Sequence, residues 1–321
     1  MHRRLFAGAL GASVLAAPVV RAQVFDRPIR LIVPFAPGGT SDILARILGP
    51  SVGRQIGQNV VVENRAGAAG NVGADFVAKS APDGSTVLLI DTGALATAPS
   101  LYQRLSFDPA NDLAPVNLLI YAPYLLAVHP SVSANTPQEL AALAKARPQA
   151  LNVANSGVGG ATHLTSLVLA QHWGAELTQV PYRGGAAALT AVSAGESQML
   201  VNGATATSPF VRDGRLKGIA VTGARRFADF PNLPTFAELG WPGAEAGTFQ
   251  GVLVRAGTPA VLVNKLDEAF RNAMAEPDNA RRLADIGAET QSLGPDAFRS
   301  WMVRETEQWG RVVRANNIRL D

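Results

Sequence analysis

A unit of strand, glycine-rich loop and helix recurs along this chain, and it constrains the fold more than any other feature. Ile29 to Pro34 is a short β-branched run, Pro37-Gly38-Gly39 breaks it, and apolar residues from Asp42 to Leu48 follow at helical spacing. Val60 to Val62 predicts a strand, Gly67 to Gly73 a turn into a helix through Val77, and Thr86 to Ile90 a strand entered by Pro82-Asp83-Gly84. Leu118 to Val128 reads as one long apolar strand or two. A helix is expected from Pro137 to Ala146, with Thr136 as its cap. Leu151 to Ala154, Gly157 to Gly160 and a helix to His172 repeat the unit; Leu177 to Tyr182, Gly184-Gly185 and Ala186 to Ala194 repeat it again. Further strands are expected at 198–201, 216–222 and 251–254, and helices at 259–275, 278–286 and 295–316. In the last helix Phe298, Met302, Trp309 and Val312 share one face, the pattern of core packing. Alternating strands and helices predict a mostly parallel sheet covered on both faces, with ligands bound in the strand-to-helix loops.

Four such loops carry unusual chemistry: Val33 to Asp42, Ile90-Asp91-Thr92-Gly93-Ala94, Asn155 to His163, and Val180 to Ala186. The first and the last share a plan of strand, proline, aromatic residue, short spacer, Gly-Gly and helix. Glycine permits close backbone approach, and a helix start offers free N–H groups and a partial positive charge. Together they can hold a carboxylate or phosphate without a cationic side chain. A phosphate site of P-loop or dinucleotide type is not expected, because no G-x-x-x-x-G-K-[ST] is present and Gly157-Val-Gly159 is only a fragment of G-x-G-x-x-G. No metal or cofactor site is expected either. His163 and His172 stand nine residues apart, on opposite helix faces, and no H-E-x-x-H or G-x-S-x-G occurs. Ser156 is the best-placed nucleophile, with His163 as a possible base, but a hydroxyl that donates to a ligand is the favoured reading. Asp42 reads as a first-turn residue that can also face the ligand. Arg183 reads equally as a carboxylate clamp or a solvated turn residue.

Composition narrows the partners. The 321 residues carry a formal charge of +3, yet residues 1–22 contain Arg3, Arg4 and Arg21 and no acid. Without them, basic residues equal the 25 acidic ones, so a nucleic-acid partner is not expected. Residues 1–22 read as an export signal: a charged start, an apolar run from Leu5 to Val20, and small residues before an expected cleavage ahead of Gln23. Arg3-Arg4-Leu5-Phe6 is compatible with a twin-arginine route. With no cysteine in the chain, disulfides and thiolate chemistry are excluded, which suits a periplasmic protein with a large core.

At the four loops the sequence resembles the Bug solute-binding proteins, the extracytoplasmic receptors of tripartite tricarboxylate transporters. Val33-Pro-Phe-Ala-Pro-Gly-Gly-Thr-Ser-Asp42 with Ala45-Arg46 is similar to their first ligand loop. Val61-Val-Glu-Asn-Arg-Ala-Gly67, Gly70-Asn-Val-Gly73, Ala81-Pro-Asp-Gly84, Val180-Pro-Tyr-Arg-Gly184, Ala220-Val-Thr222, Pro231-Asn-Leu-Pro-Thr235 and Ala256-Gly-Thr-Pro259 follow in register. The resemblance implies a type II periplasmic-binding-protein fold: two α/β lobes joined by a hinge, with a ligand cleft between them. Its implied organisation is a signal at 1–22, a first lobe from 23–122 plus 227–321, and a second lobe from 123–226. It further implies a periplasmic monomer that captures a small organic acid of the di- or tricarboxylate class and passes it to membrane permease subunits. The alternatives are an exported serine hydrolase using Ser156 and His163, or a receptor that feeds a sensor kinase. Carried over by motif, the ligand-binding residues are Phe35, Ala36, Gly38, Gly39, Thr40, Ser41 and Asp42, with Thr92 and Gly93, in the first lobe. In the second they are Ser156, Thr162, His163, Tyr182, Arg183, Gly184 and Gly185. Leu200-Val-Asn202-Gly203 departs from the family's Met-Phe-Asp-Asn and puts Asn202 where an acid is usual.

Overall fold

The computed structural model describes residues 25–243, 246–315 and 318–319. The expected export signal at 1–22 lies outside them. The chain begins with β1 (Ile29–Val33), α1 (Thr40–Ile56), β2 (Val60–Asn64), α2 (Asn71–Ala78), β3 (Thr86–Asp91), α3 (Thr92–Leu101) and β4 (Leu113–Val128). It continues through α4 (Pro137–Ala146), β5 (Asn152–Asn155), α5 (Ala161–Trp173), β6 (Thr178–Pro181), α6 (Gly185–Ser193), β7 (Met199–Gly203), α7 (Ala204–Arg212) and β8 (Lys217–Val221). It closes with β9 (Gly247–Arg255), α8 (Ala260–Ala275), α9 (Pro277–Asp285), β10 (Glu289–Leu293) and α10 (Pro295–Ala315).

The strands form one continuous path, β2-β1-β3-β9-β4-β7-β5-β6, with β8 and β10 also paired to β4. The run that read as one strand or two is a single strand of 16 residues serving two sheets. Residues Leu113 to Pro123 pair with β9, and Tyr124 to Val128 pair with β7. Pro123, which has no N–H for a ladder, stands at the handover. Pairing within each lobe's strand–helix units is parallel, as in β1 with β2 and β3, and β5 with β6 and β7. The expected mostly parallel sheet is nevertheless a mixed one. β4 and β9 connect the two lobes and run against the strands beside them, so every pairing that involves them is antiparallel.

Period-two side chains split each sheet's residues between two cores. Leu31, Val33, Val87, Leu89, Val252 and Val254 face α1 and α8. Ile32, Leu88, Ile90 and Leu253, offset by one residue, face α2 and Phe298 of α10. In the second sheet Tyr124, Leu126, Val128, Val153, Met199 and Val201 form one core, while Ala127, Ala154 and Leu200 pack under α6. Phe236 and Ala246 belong to the Tyr124 core, and the chain rejoins the first sheet only at Gly247. Phe236 is fully buried in that core.

Four elements depart from expectation. α3 and α7 were not anticipated: Thr92–Leu101 has small residues buried all round and an internal Pro99, and Ala204–Arg212 carries threonines and Pro209. β10 is a polar strand, Glu-Thr-Gln-Ser-Leu, held by β4. α1 runs past Leu48 to Ile56 through Pro50, whose ring lies on the exposed side. Among the described residues no helix is long and apolar enough to cross a membrane, and no cluster of His, Asp and Glu is arranged to hold a metal ion.

Candidate functional site

Helices α1, α5, α6 and α7 each begin on a glycine, respectively Gly39, Gly160, Gly184 and Gly203, and none has its N-terminus closed by a side chain. Their first N–H groups lack intrahelical acceptors and carry the positive end of the helix dipole. α4 shows the contrast: Thr136 Oγ1 accepts the Glu139 N–H at 3.2 Å, while Glu139 accepts the Asn135 N–H at 2.7 Å. The four glycine-started helices converge. Gly39, Thr40 and Ser41 of α1, Thr162 of α5, Gly185 of α6 and Gly203 beside α7 line one cavity of about 40 Å³ between the lobes. Phe35, Asp91, Tyr124, Ser156, Asn202, Thr248 and Gln250 complete its wall, and no Lys, Arg or His lines it.

Glycines bring the lobes together. A Cβ on Gly203 would stand 2.5 Å from Thr40 Oγ1, one on Gly93 3.1 Å from Ala161 Cβ, and one on Gly184 3.4 Å from Ala36 N. A cavity of this size has room for a few water positions.

Phe35, Gly39, Thr40, Ser41, Ser156, Thr162, Gly185 and Asn202 were predicted from sequence, and all eight line this cavity. The Asn202 Nδ2 donates to Thr207 Oγ1 at 3.2 Å. Ala36, Gly38 and Gly184 sit beside it: Gly184 faces Ala36 and Phe35, and Gly38 approaches Ala186.

The remaining predicted residues serve elsewhere. Asp42 is buried and fully engaged, accepting from Gly38 N at 3.0 Å, Arg46 Nε at 2.9 Å and Asn64 Nδ2 at 3.0 Å. Burial alone would raise its carboxyl; the Arg46 guanidinium, the Gly38 N–H and Asn64 outweigh it and hold the pKa below its ordinary value. Thr92 donates to Phe249 O at 2.9 Å from a fully buried position. Gly93 gives its N–H to Asp91 Oδ1 at 3.1 Å. His163 turns Nδ1 to the Gly159 N–H at 3.0 Å, and burial pushes its pKa down to about 4, so the ring is neutral. Ser156 Oγ lies 2.8 Å from Thr162 Oγ1. A Ser156–His163 nucleophile pair is thus not assembled. Tyr182 and exposed Arg183 border an outer crevice of about 180 Å³, which shares Phe35 and Ser156 with the cavity. Of the α10 face expected in the core, Phe298 is buried, but Trp309 and Val312 line a groove of about 690 Å³ with Trp241, Phe249 and Trp301.

Sequence reasoning missed Asp91, Tyr124, Gly203, Thr248 and Gln250. Asp91 lies within a loop already singled out, but its neighbours Thr92 and Gly93 were chosen instead. Thr248 and Gln250 alternate with Phe249 and Gly251, the period-two sign of a strand whose polar face is buried; that strand was expected to start only at Gly251. Asp91 and Gln250 are direct cross-strand partners. The Asp91 carboxyl accepts from Gly93 N, from the Thr248 hydroxyl and, at 3.5 Å, from Tyr124. Part of its surface faces the cavity, but protein encloses it, and burial raises its pKa to about 6 against these three neutral donors.

Residues 44–318 match the family model described as "Tripartite tricarboxylate transporter family receptor". The protein BugT of Bordetella pertussis is 33% identical over 307 residues, covering 95% of this chain and 94% of its own. The structure of the periplasmic binding protein BugD superposes with a TM-score of 0.89 at 32% identity, over 92% of this chain and 99% of that one. MatC from Rhodopseudomonas palustris with bound malate superposes with a TM-score of 0.86 at 30% identity, over 90% of this chain and 99% of that one.

Proposed function

This chain belongs to the tripartite tricarboxylate transporter receptor family, and from that premise we propose that it captures a small organic acid of the di- or tricarboxylate class in the periplasm and presents it to membrane permease subunits. Its fold is that of the two-lobed periplasmic solute-binding receptors. The observation that carries the ligand class is the convergence of four glycine-started helix N-termini, from both lobes, on a cavity without a basic side chain. Such N–H groups stabilise an anion wherever water is excluded, and each helix end contributes about 0.3–1 kcal/mol at exposed sites and more when buried. Because the donors are divided between the lobes, a bound carboxylate favours the closed state over the open one, which is the condition for ligand-driven closure. The malate held by the structural relative MatC is an acid of this class.

Thermal-shift screening with mono-, di- and tricarboxylates tests the reading. A ligand present at 100 times its Kd adds about 2.7 kcal/mol to stability, which is readily detected; absence of stabilisation by every acid would overturn it. Closure has its own test. Gly203 has φ −52°, which any residue adopts, but a Cβ there meets Thr40 of the other lobe. Gly203→Ala is expected to weaken ligand binding by about tenfold or more, equivalent to ~1.4 kcal/mol. Calorimetric titration measures the loss, with the unliganded melting curve as the check on folding.

A further inference from the structure

The cavity has two chemically different sides. One is the ring of N–H donors at the helix starts. The other is formed by the ends of β3 and β9, where Asp91 and Gln250 are cross-strand partners, so their Cβ atoms lie about 5 Å apart on one face. Gln250 is 1% exposed, gives its Nε2 to Thr248, and has no hydrogen-bond partner for Oε1. A buried amide oxygen without a donor is costly unless a ligand supplies one. Asp91 beside it is met only by neutral donors, and Glu305 adds negative charge nearby. Thus an acidic carboxyl and an unpaired acceptor stand together in a cavity whose other wall suits an anion. A ligand that was only an anion would bring a second negative charge against Asp91 with no cation among the lining residues.

We propose that the solute bound here is a small carboxylate that also bears an ammonium group, with the ammonium seated on Asp91 and Gln250 and the carboxylate facing the glycine-started helices. Asp91 is then the specificity-determining residue. An ammonium presents three donors and a positive charge, so it satisfies Gln250 Oε1 and neutralises Asp91 in one step. A hydroxyl in the same place donates a single hydrogen bond and leaves the charge on Asp91 uncompensated. The inference rests on the carboxylate-receptor reading and adds to it the second functional group.

The test is calorimetric titration of the mature chain with matched acids that differ only at C2: propionate, lactate and alanine; succinate, malate and aspartate; adipate, 2-hydroxyadipate and 2-aminoadipate. In the series whose length fits, the amino acid is expected to bind about tenfold or more tighter than the unsubstituted acid, with the hydroxy acid between them. Asp91→Asn keeps an oxygen for the Gly93 N–H and is expected to reduce the amino-to-unsubstituted affinity ratio by at least tenfold. Gln250→Met, a second route to the same answer, reduces that ratio several-fold. If an unsubstituted or hydroxy acid binds as tightly as its amino counterpart, or if the ratio is unmoved in both folded variants, the ammonium assignment is overturned while the carboxylate reading stands. If none of the nine acids binds and the wider carboxylate screen is also silent, both readings fall.

Discussion

Asp42 and Asp91 occupy comparable places and behave oppositely. Each stands where a strand of the first lobe gives way to a helix, Asp42 as the third residue of α1 and Asp91 as the last residue of β3 and the N-cap of α3. Each loses hydration on folding. Asp42 is repaid by a guanidinium and two further donors, and its pKa falls below the ordinary value. Asp91 meets three neutral donors and no cation, and its pKa climbs to about 6. Asp42 thus ties the loop between β1 and α1 to β2 through Gly38 and Asn64. Asp91 remains on the wall of the cavity. Burial is common to both, so it cannot tell the scaffold acid from the site acid; the charge of the partners does.

The largest expected effect comes from deleting the scaffold acid. Asp42→Ala leaves the Gly38 N–H without its acceptor and the Asn64 amide with Phe35 O alone, strips Arg46 of its partner, and is expected to cost about 3 kcal/mol in urea unfolding. A loss as small as that of an ordinary surface substitution would break the contrast. Asp91→Asn should act in the opposite direction. It removes a carboxylate that folding forces into a low-dielectric site, and is expected to stabilise the unliganded protein by roughly 2 kcal/mol at pH 7.5. The same substitution is expected to do almost nothing at pH 4, where the folded-state carboxyl is already protonated.

The two acids also predict the pH profile, with opposite signs. The raised Asp91 opposes folding fully above about pH 6, and its penalty fades as pH falls from there toward 3.8, the ordinary carboxyl value. The lowered Asp42 favours folding above that ordinary value, and its contribution is lost as pH falls through its depressed pKa. From this pair, stability is level above about pH 6, rises as pH falls from there toward 3.8, and declines at lower pH; urea midpoints across the range read both limbs. In Asp91→Asn the upper limb should flatten. The smallest effect is expected from Arg46→Gln. The Arg46 side chain is more than half exposed, so solvent screens its pair with Asp42, and unfolding should register a loss below about 1 kcal/mol. A larger loss would mean that the guanidinium, rather than the Gly38 and Asn64 bonds, dominates the Asp42 network.

How much of this was legible in the sequence follows from where local pattern and burial coincide. The strands at Leu31 to Val33, Thr86 to Ile90 and Gly251 to Val254 were readable because alternate residues enter cores on opposite faces. The glycine-started helices were readable because Gly38-Gly39, Gly159-Gly160 and Gly184-Gly185 interrupt apolar runs. α3 and α7 were not, because small residues and internal prolines carry no helical stripe; they are helical because the surrounding sheet and helices enclose them. Eight predicted ligand residues reached the cavity because motif position and loop geometry agree there. Thr248 and Gln250 escaped notice because polar residues alternating in a strand usually face water.

By itself the sequence determined a neutral chain beyond its first 22 residues, the repeating strand–loop–helix units, the glycine helix starts and the family they resemble. Tertiary structure alone decided which polar groups are left for a ligand. Asp42 and Asp91 are the same residue type at similar loop positions, and only the packing of Arg46 and Asn64 around one, and of Gln250, Thr248 and Tyr124 around the other, separates them. Charge stabilisation depends on neighbours within a few ångströms, and for Asp91 these come from β4 and from β9, the latter some 160 residues further along the chain, only once the sheet is built.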